Sequence, residues 1–328
     1  MSAQETDTRT ITLVDLPLVA RLSGQGTVLD SERGLTGDAR GPHSVLLSSL
    51  LFRSNNIHTI VARSDKQQVV GQFRVPPDDP NAHIIYIAPR LEGDVDNTVW
   101  LHILDAMAKE AGKHRAQALV AEVEETSQLF ETMRNAGFAV YMRQQIWRRH
   151  PDAPRPPYEK VVLHEVEDLY SPGLWALFGA ITPSMVQQIA APPSDMTLLA
   201  YYKNQQVEGF IALSEGKQGI YMIPYLHQDL YYEATDIIES AIDYAERAAK
   251  VPVYVCIRRY QNWLEPILHD SHFRLWIQQA VMVKHIAAGV RQARFSPVRT
   301  EKREAVPAPV GPPGHLCQCE DDLRSENS

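Results

Sequence analysis

Only three cysteines, Cys256, Cys317 and Cys319, occur in 328 residues. Three thiols cannot build a disulfide framework, so the fold must rest on packing, and a reducing cytoplasm is the expected setting. No run reaches the roughly 18 to 20 apolar residues that cross a bilayer, so no membrane span is expected. The opening MSAQETDTRT has neither a basic start nor an apolar stretch, the two marks of a secretory signal. Basic charge is in deficit: 32 Lys and Arg stand against 40 Asp and Glu, a net charge of −8. Faces that bind phosphate backbones are built from clustered Lys and Arg, so nucleic acid is not an expected partner. Arg143, Arg148 and Arg149 do lie close together, and a solvated strand edge accounts for them. Metal ligands are thin as well. His315-Leu-Cys317-Gln-Cys319 offers three in a Pro-rich segment, with no fourth ligand and no rigid frame, so no metal is expected.

What the chain does have is a repeat. Gly71 in QQVVGQFRV is answered 138 residues later by Gly209 in QQVEGFIAL. Pro89, Phe138 and His150 are each answered 135 residues later, by Pro224, Phe273 and His285. A period this long means two similar domains rather than a solenoid of short units. The length suits two domains, and with 44% hydrophobic and 22% charged residues each half can bury an ordinary core.

The expected organisation follows. Residues 1–8 are polar and frayed; 9–150 form a first domain; 151–157, rich in proline, form a stiff linker. Residues 158–290 form a second domain, and 291–328 a disordered tail whose Arg, Pro, Gly, Glu and Ser cannot support a core. Within the first domain, 9–22 opens as a strand and the start of a helix. Residues 23–42 read as a long loop and 44–52 as a short helix. Strands are expected over 59–63, 69–75 and 82–88. From Asn97 the period changes from two to 3.6, with Val99, Ile103, Met107, Ala108 and Ala111 on one face and Gly112 as the closing glycine. A buried parallel strand over 118–123, a short helix over 127–136 and a last strand over 138–149 complete the half. The second half repeats this order, with strands over 197–202, 207–213, 219–223, 251–257 and 273–285, and helices over 234–249 and 262–269.

This order resembles the GNAT superfamily of acyl-CoA-dependent N-acyltransferases, and two copies resemble its double-domain members. The fold class that the resemblance implies is α/β: two tandem GNAT-like domains, each a mixed twisted sheet flanked by helices. The family's motif Gln/Arg-x-x-Gly-x-Gly/Ala lies between a strand and a long helix. There, backbone N–H groups and the helix dipole receive the coenzyme A pyrophosphate. Here that loop runs Arg90-Leu-Glu-Gly93-Asp-Val95, with Val95 where Gly or Ala is usual. The resemblance implies acetyl-CoA or another acyl-CoA as co-substrate and a small-molecule or peptide amine as acceptor. It places the pantetheine arm on the backbone of Ile87 and Ala88, and the pyrophosphate on Arg90, Gly93, Asp94 and Val95. In the second half the loop 225–232, Tyr-Leu-His-Gln-Asp-Leu-Tyr-Tyr, has no glycine, so the first half is the expected cofactor site.

Acyl transfer also needs a base and an acid. The family's acid is a Tyr five residues before the Phe of the turn, a place taken here by Met133 and Leu268. His83 and Tyr86 are the candidate catalytic residues, on opposite faces of their strand if alternation holds. Glu122, Glu124, Glu125 and Glu208 are further bases within reach of a cleft or else plain surface acids. Two readings stay open: an N-acyltransferase, and a non-catalytic GNAT-like protein that binds a metabolite or partner.

Overall fold

The computed structural model describes residues 6–37, 56–93, 95–168, 170–189, 191, 195–245, 248 and 250–286. The expected helix over 44–52, the tail over 291–328 and Asp94 lie outside them. In the first half the elements are β1 (Asp7–Thr10), α1 (Leu16–Leu22), β2 (Thr27–Val28), α2 (Ser31–Thr36), β3 (Ile57–Arg63), β4 (Gln68–Arg74) and β5 (Ala82–Ala88). Then come α3 (Thr98–Lys113), β6 (Ala118–Glu124), α4 (Gln128–Asn135) and β7 (Ala139–Arg149). The second half contains β8 (Leu163–Val166), α5 (Pro172–Ile181), α6 (Ser184–Gln187), β9 (Thr197–Lys203), β10 (Gln206–Glu215) and β11 (Ile220–Leu226). It ends with α7 (Ala234–Tyr244), β12 (Val253–Arg258), α8 (Glu265–Asp270) and β13 (Arg274–His285).

Local chemistry explains most of these. α3 buries the apolar face read from the sequence, with Trp100 and Leu104 added to it. That face sits hard against β4: a Cβ on Gly71 would lie 2.7 Å from Met107 Sδ. Gly209 has the same role in the second half, where a Cβ would lie 2.6 Å from Leu226 Cδ2. The repeated glycine thus marks where a helix or neighbouring strand approaches a backbone too closely for any side chain. Gly112, expected to close α3, lies inside its last turn, and Arg115 takes the left-handed conformation instead, at φ 67°. Gly137 does close α4, at φ 86°. The stretch expected as a loop from residue 23 holds β2 and α2; Asp30 caps α2 by accepting from the Arg33 amide.

The strands join into one mixed sheet in the order β1-β3-β4-β5-β6-β13-β7-β12-β11-β10-β9-β8, with β2 added beside β5. The centre of this order is an exchange. β13, the last strand of the second half, pairs with β6 and β7 of the first, and β7 pairs with β12 of the second. Each half therefore donates its final strand to the other, and the hydrogen-bond ladder runs unbroken across the junction. Of the arginines read as a solvated edge, Arg143 is exposed and Arg148 half-buried as expected, but Arg149 is not. Arg149 is 4% exposed and its guanidinium is bound by the buried Glu239 of α7. Arg143 pairs with Glu125 at 2.9 Å.

The two faces of the sheet are used differently. One carries α3 and α4 over β3–β6 and α7 over β10–β12, in two apolar clusters. The other carries α1, α5 and α6, and a cavity between them.

Candidate functional site

In each half the site begins where two parallel strands part. β5 and β6 pair only at Ala82–Leu119 and His83–Val120, after which they diverge. The Gly93 turn follows β5 and leads into α3. Gly93 has φ +71°, and nothing lies within 4 Å of where its Cβ would be. Arg90 and Glu92 are exposed and bond to each other at 3.4 Å, and Val95 is also exposed. Among the described residues, nothing outside its own chain neighbours lies over the Gly93 Cβ position. The turn's carbonyl at Gly93 receives the Gln128 side chain of α4. Asp96 accepts from the Thr98 amide at 3.0 Å and so occupies one donor at the start of α3. Those bonds from the Thr98 hydroxyl and amide hold the Asp96 carboxyl below its usual range.

The slot between the diverging strands is filled from within. β2 pairs with β5, Thr27 opposite Ile87 and Val28 opposite Tyr86. Leu29 then bridges the gap: its amide donates to Ile85 O at 3.0 Å, and its carbonyl accepts from the Glu122 amide at 3.1 Å. The Arg90 amide donates to Gln25 O at 2.6 Å. The fit is close, since a Cβ on Gly26 would lie 2.5 Å from Ile87 O and 2.2 Å from the Tyr86 ring. Residues 25–29 therefore lie along the backbone of Ile87 and Ala88, the positions that the sequence resemblance gives to pantetheine. In the second half, β11 and β12 part after Met222–Val255. There the buried Gln261 side chain spans the gap, donating to Pro224 O at 2.6 Å and accepting from the Arg258 amide at 3.3 Å.

On the opposite face a cavity of about 610 Å³ sits over the exchanged strands, lined by both halves. Its size falls within the range of small-molecule sites. Glu122 on β6, Gln279 on β13, Gln144 on β7 and Arg258 on β12 form a polar row across the sheet beneath it. Ser31 at the start of α2 ties the row together: its amide donates to Glu122 Oε2 at 2.8 Å and its hydroxyl to Gln279 Oε1 at 3.0 Å. Gln144 donates to the same Gln279 oxygen at 3.1 Å. Glu32, one residue on, accepts from Ser214 Oγ on β10 at 2.8 Å. The segment from β2 to α2 thus spans the junction, bonded to β5 and β6 at one end and to β10 at the other.

Electrostatics in this cavity are unusual. Burial, with Asp30 and Asp195 nearby, pushes the Glu32 carboxyl up to about 7, against the Ser214 bond and Arg33. Burial and Asp30 likewise raise Glu122, against its bonds from Ser31 and Gln144. Cys256 is buried beside Tyr221, and burial pushes its thiol up to about 12, so it is no nucleophile near neutrality. Arg258 is buried with its guanidinium 4.9 Å from the Tyr225 ring and 3.2 Å from the Tyr260 hydroxyl.

The two catalytic candidates fare differently. A bulge between Gln72 and Phe73 of β4, opposite Ile84–Tyr86, breaks the alternation of β5. His83 and Tyr86 consequently share the cavity face instead of lying on opposite ones. His83 lines the cavity and its Nε2 is 2.7 Å from Asp79 Oδ2. Tyr86 is buried against α1 and donates to the Leu22 and Ser23 carbonyls, at 2.9 and 2.8 Å. Burial pushes its hydroxyl up to about 12. It buttresses the residue 22–26 turn and is not poised for proton transfer. Of the further bases, Glu122 alone lies on the cavity; Glu124 is exposed and Glu125 is held by Arg143. The sequence reading missed Asp30, Ser31, Glu32, Gln144, Asp195, Arg258 and Gln279. A detectable signal existed for three of them: Gln144, Arg258 and Gln279 interrupt apolar strands on alternating positions. Among the described residues no group of His, Cys, Asp and Glu is arranged to hold a metal ion, and no helix is long and apolar enough to cross a membrane.

Neither a protein-family model nor a curated protein sequence matches the chain. Solved structures do. A GCN5-related N-acetyltransferase from Sphaerobacter thermophilus aligns over 86% of this chain and 96% of its own, at TM-score 0.53 and 10% identity. A putative acetyltransferase from Pyrococcus horikoshii aligns over 87% and 91%, at TM-score 0.51 and 14% identity. A tandem GNAT protein from the clavulanic acid biosynthesis pathway aligns over 86% and 99%, at TM-score 0.50 and 13% identity. The divided parallel strands, the turn into a long helix and the match over nearly the whole length of a tandem relative together make this chain a GNAT-fold protein.

Proposed function

We propose that the protein is an acyl-CoA-dependent N-acyltransferase that takes its acyl donor at the Gly93 turn and its amine acceptor from the central cavity. One observation carries this reading. The parting of β5 and β6 has a glycine turn at a helix N-terminus on one side and a carboxylate of raised pKa, Glu122, on the other. The Arg90 amide is given to Gln25 O and the Val95 amide to Gly93 O, so the backbone N–H groups of Leu91, Glu92 and Gly93 are the donors that suit a diphosphate, and a carboxylate of raised pKa suits removal of a proton from an ammonium acceptor. The freed amine attacks the thioester carbonyl, the C–N bond forms, the C–S bond breaks, and CoA leaves as the thiol with a proton. Met133 and Leu268, where the family resemblance puts the acid, cannot supply it, so that proton comes by way of water or from the acceptor itself.

A second reading is favoured by a different observation. Residues 25–29 already fill the slot between β5 and β6, which suits a protein that keeps the scaffold and its cavity but binds no acyl-CoA. Isothermal titration with acetyl-CoA separates the two. Micromolar binding to the wild type that disappears in Gly93→Trp supports the transferase; no heat at millimolar acetyl-CoA overturns it in favour of the non-catalytic protein. The halves themselves are proposed as two GNAT-like domains, 9–150 and 158–290, joined by residues 151–157. Cytoplasmic residence and the absence of nucleic-acid and membrane partners belong to the same proposal.

A further inference from the structure

The central cavity carries negative charge without a matching supply of cations. Asp30, Glu32, Glu122 and Asp195 line it together with four further carboxylates, against Arg74 and Arg258, and Arg33 pairs with both Asp30 and Asp195 at 3.6 Å. Arg74 is already within 3.8 Å of Asp195, and Arg258 lies against Tyr225 and Tyr260. Glu32 is held by Ser214 and Glu122 by Ser31 and Gln144, all neutral donors, and neither forms an ion pair among the described residues. They stand on different elements, and between the charged groups the wall is aliphatic, with Val120, Met142, Ile223 and Val281. A buried carboxylate is expensive unless something neutralises it. Here two partly buried ones, Glu32 and Glu122, face one cavity whose wall between them is largely aliphatic.

We propose that this cavity binds an organic dication: an aliphatic body with amino or guanidino groups at two ends, one meeting Glu122 and the other meeting Glu32. A metal ion fits poorly, since the carboxylates are spread along aliphatic walls and a space of about 610 Å³ far exceeds one hydrated ion. An anion is excluded by the same charges. A neutral ligand would leave both carboxylates uncompensated. The ligand's role as acyl acceptor rests on the function proposed above, but its binding does not.

A linked proton makes the site measurable. Glu32 titrates near 7, raised by burial and by Asp30 and Asp195 against Ser214 and Arg33. A cation bound beside it lowers that value, so binding at pH 7 releases protons. The experiment is isothermal titration of the full chain, without acyl-CoA, using 1,5-diaminopentane and 4-aminobutylguanidine in two buffers of different ionisation heat. The controls are 1-aminopentane, 1,5-pentanediol and magnesium. We expect at least one dication to bind at least tenfold more tightly than the monoamine, the diol to be silent, and proton release to appear at pH 7. Glu32→Gln should reduce the proton release and weaken binding at least tenfold, and Glu122→Gln should weaken it similarly, both with unchanged circular dichroism. Equal affinity for mono- and diamine, no heat with either dication at 10 mM, or displacement of the diamine by equimolar magnesium would overturn the proposal. Because no acyl-CoA is present, any of these outcomes leaves the donor half of the proposed function standing. Failure of acetyl-CoA binding likewise leaves this site standing.

Discussion

The amide of Ser31 donates to the carboxylate of Glu122 across 2.8 Å, and among the described residues no Lys or Arg shares that carboxylate. The same Glu122 gives its own amide to Leu29 O, so residues 29–31 clasp β6 through both backbone and side chain. One contact thereby joins the closed slot on one side of the sheet to the charged cavity on the other. A movement that clears the slot must also release Glu122.

Gly26 decides how firmly the slot is closed. With Tyr86 and Ile87 O within 2.5 Å of its Cβ position, any side chain there must push the strand off β5. Gly26→Val should therefore weaken the β2–β5 pairing and, if acyl-CoA competes for the slot, tighten acetyl-CoA binding at least fivefold by titration. Unchanged or weaker binding would mean that β2 is a permanent part of the sheet.

The pH dependence of stability should carry the signature of Glu32. Its folded value of about 7 lies above the ordinary 4.5, so the native state holds the proton more tightly than the unfolded chain. Stability from this group is present below pH 4.5 and is lost as pH rises through 7. Glu32→Gln keeps a neutral side chain at every pH. It should stabilise the protein by about 1 to 3 kcal/mol at pH 8 and by almost nothing at pH 4.5, read from urea denaturation at both. A variant less stable than wild type at pH 8 would refute this assignment.

Arg149 and Glu239 form a buried pair that ties the central strand β7 to α7, and Arg155 adds a second contact to Glu239 at 2.8 Å. Removing one partner strands a charge in the core. Arg149→Ala should cost about 3 to 5 kcal/mol, measured by chemical denaturation, whereas Arg148→Ala at the exposed Trp276 should cost less than about 1 kcal/mol. Comparable losses for the two would show that the buried pair is not special.

The exchanged strands make a prediction about the halves. Residues 1–150 alone leave β7 without β12 and β13, and residues 151–290 alone leave β12 without β7. Each fragment therefore exposes a long apolar strand edge. Expressed apart, they should aggregate or lack a cooperative melt; expressed together, they should co-purify as a 1:1 complex. A soluble, cooperatively melting 1–150 fragment would show that β7 can fold back beside β6.

Much of the fold was legible in local sequence. The amphipathic period of α3, the apolar β5 and β6, the glycine at the end of α4 and the paired Gly71 and Gly209 all stand where the residues placed them. The misreadings share a cause. Alternation placed His83 and Tyr86 on opposite faces, but a bulge, which depends on the partner strand, put them on one. Arg149 read as surface with Arg143 and Arg148 because nothing in its own neighbourhood announces that Glu239, 90 positions away, lies under it. The stretch from residue 23 read as a loop because its glycines and polar residues are indeed loop-like; β2 is a strand only because β5 offers an unpaired edge there.

Sequence alone determined the paired glycines Gly71 and Gly209, most of the strands β3–β7 and β9–β13, the helices α3, α4 and α7, and the inward side of α3. These follow from period, turn residues and side-chain size within a dozen positions. Tertiary structure alone decided which strands neighbour each other, that the two halves trade their last strands, that residues 25–29 enter the gap between β5 and β6, and that Glu32 and Glu122 line one cavity. Those outcomes depend on contacts 50 to 250 residues apart, where any apolar strand satisfies its neighbour's edge and only the packing of the whole sheet selects one pairing.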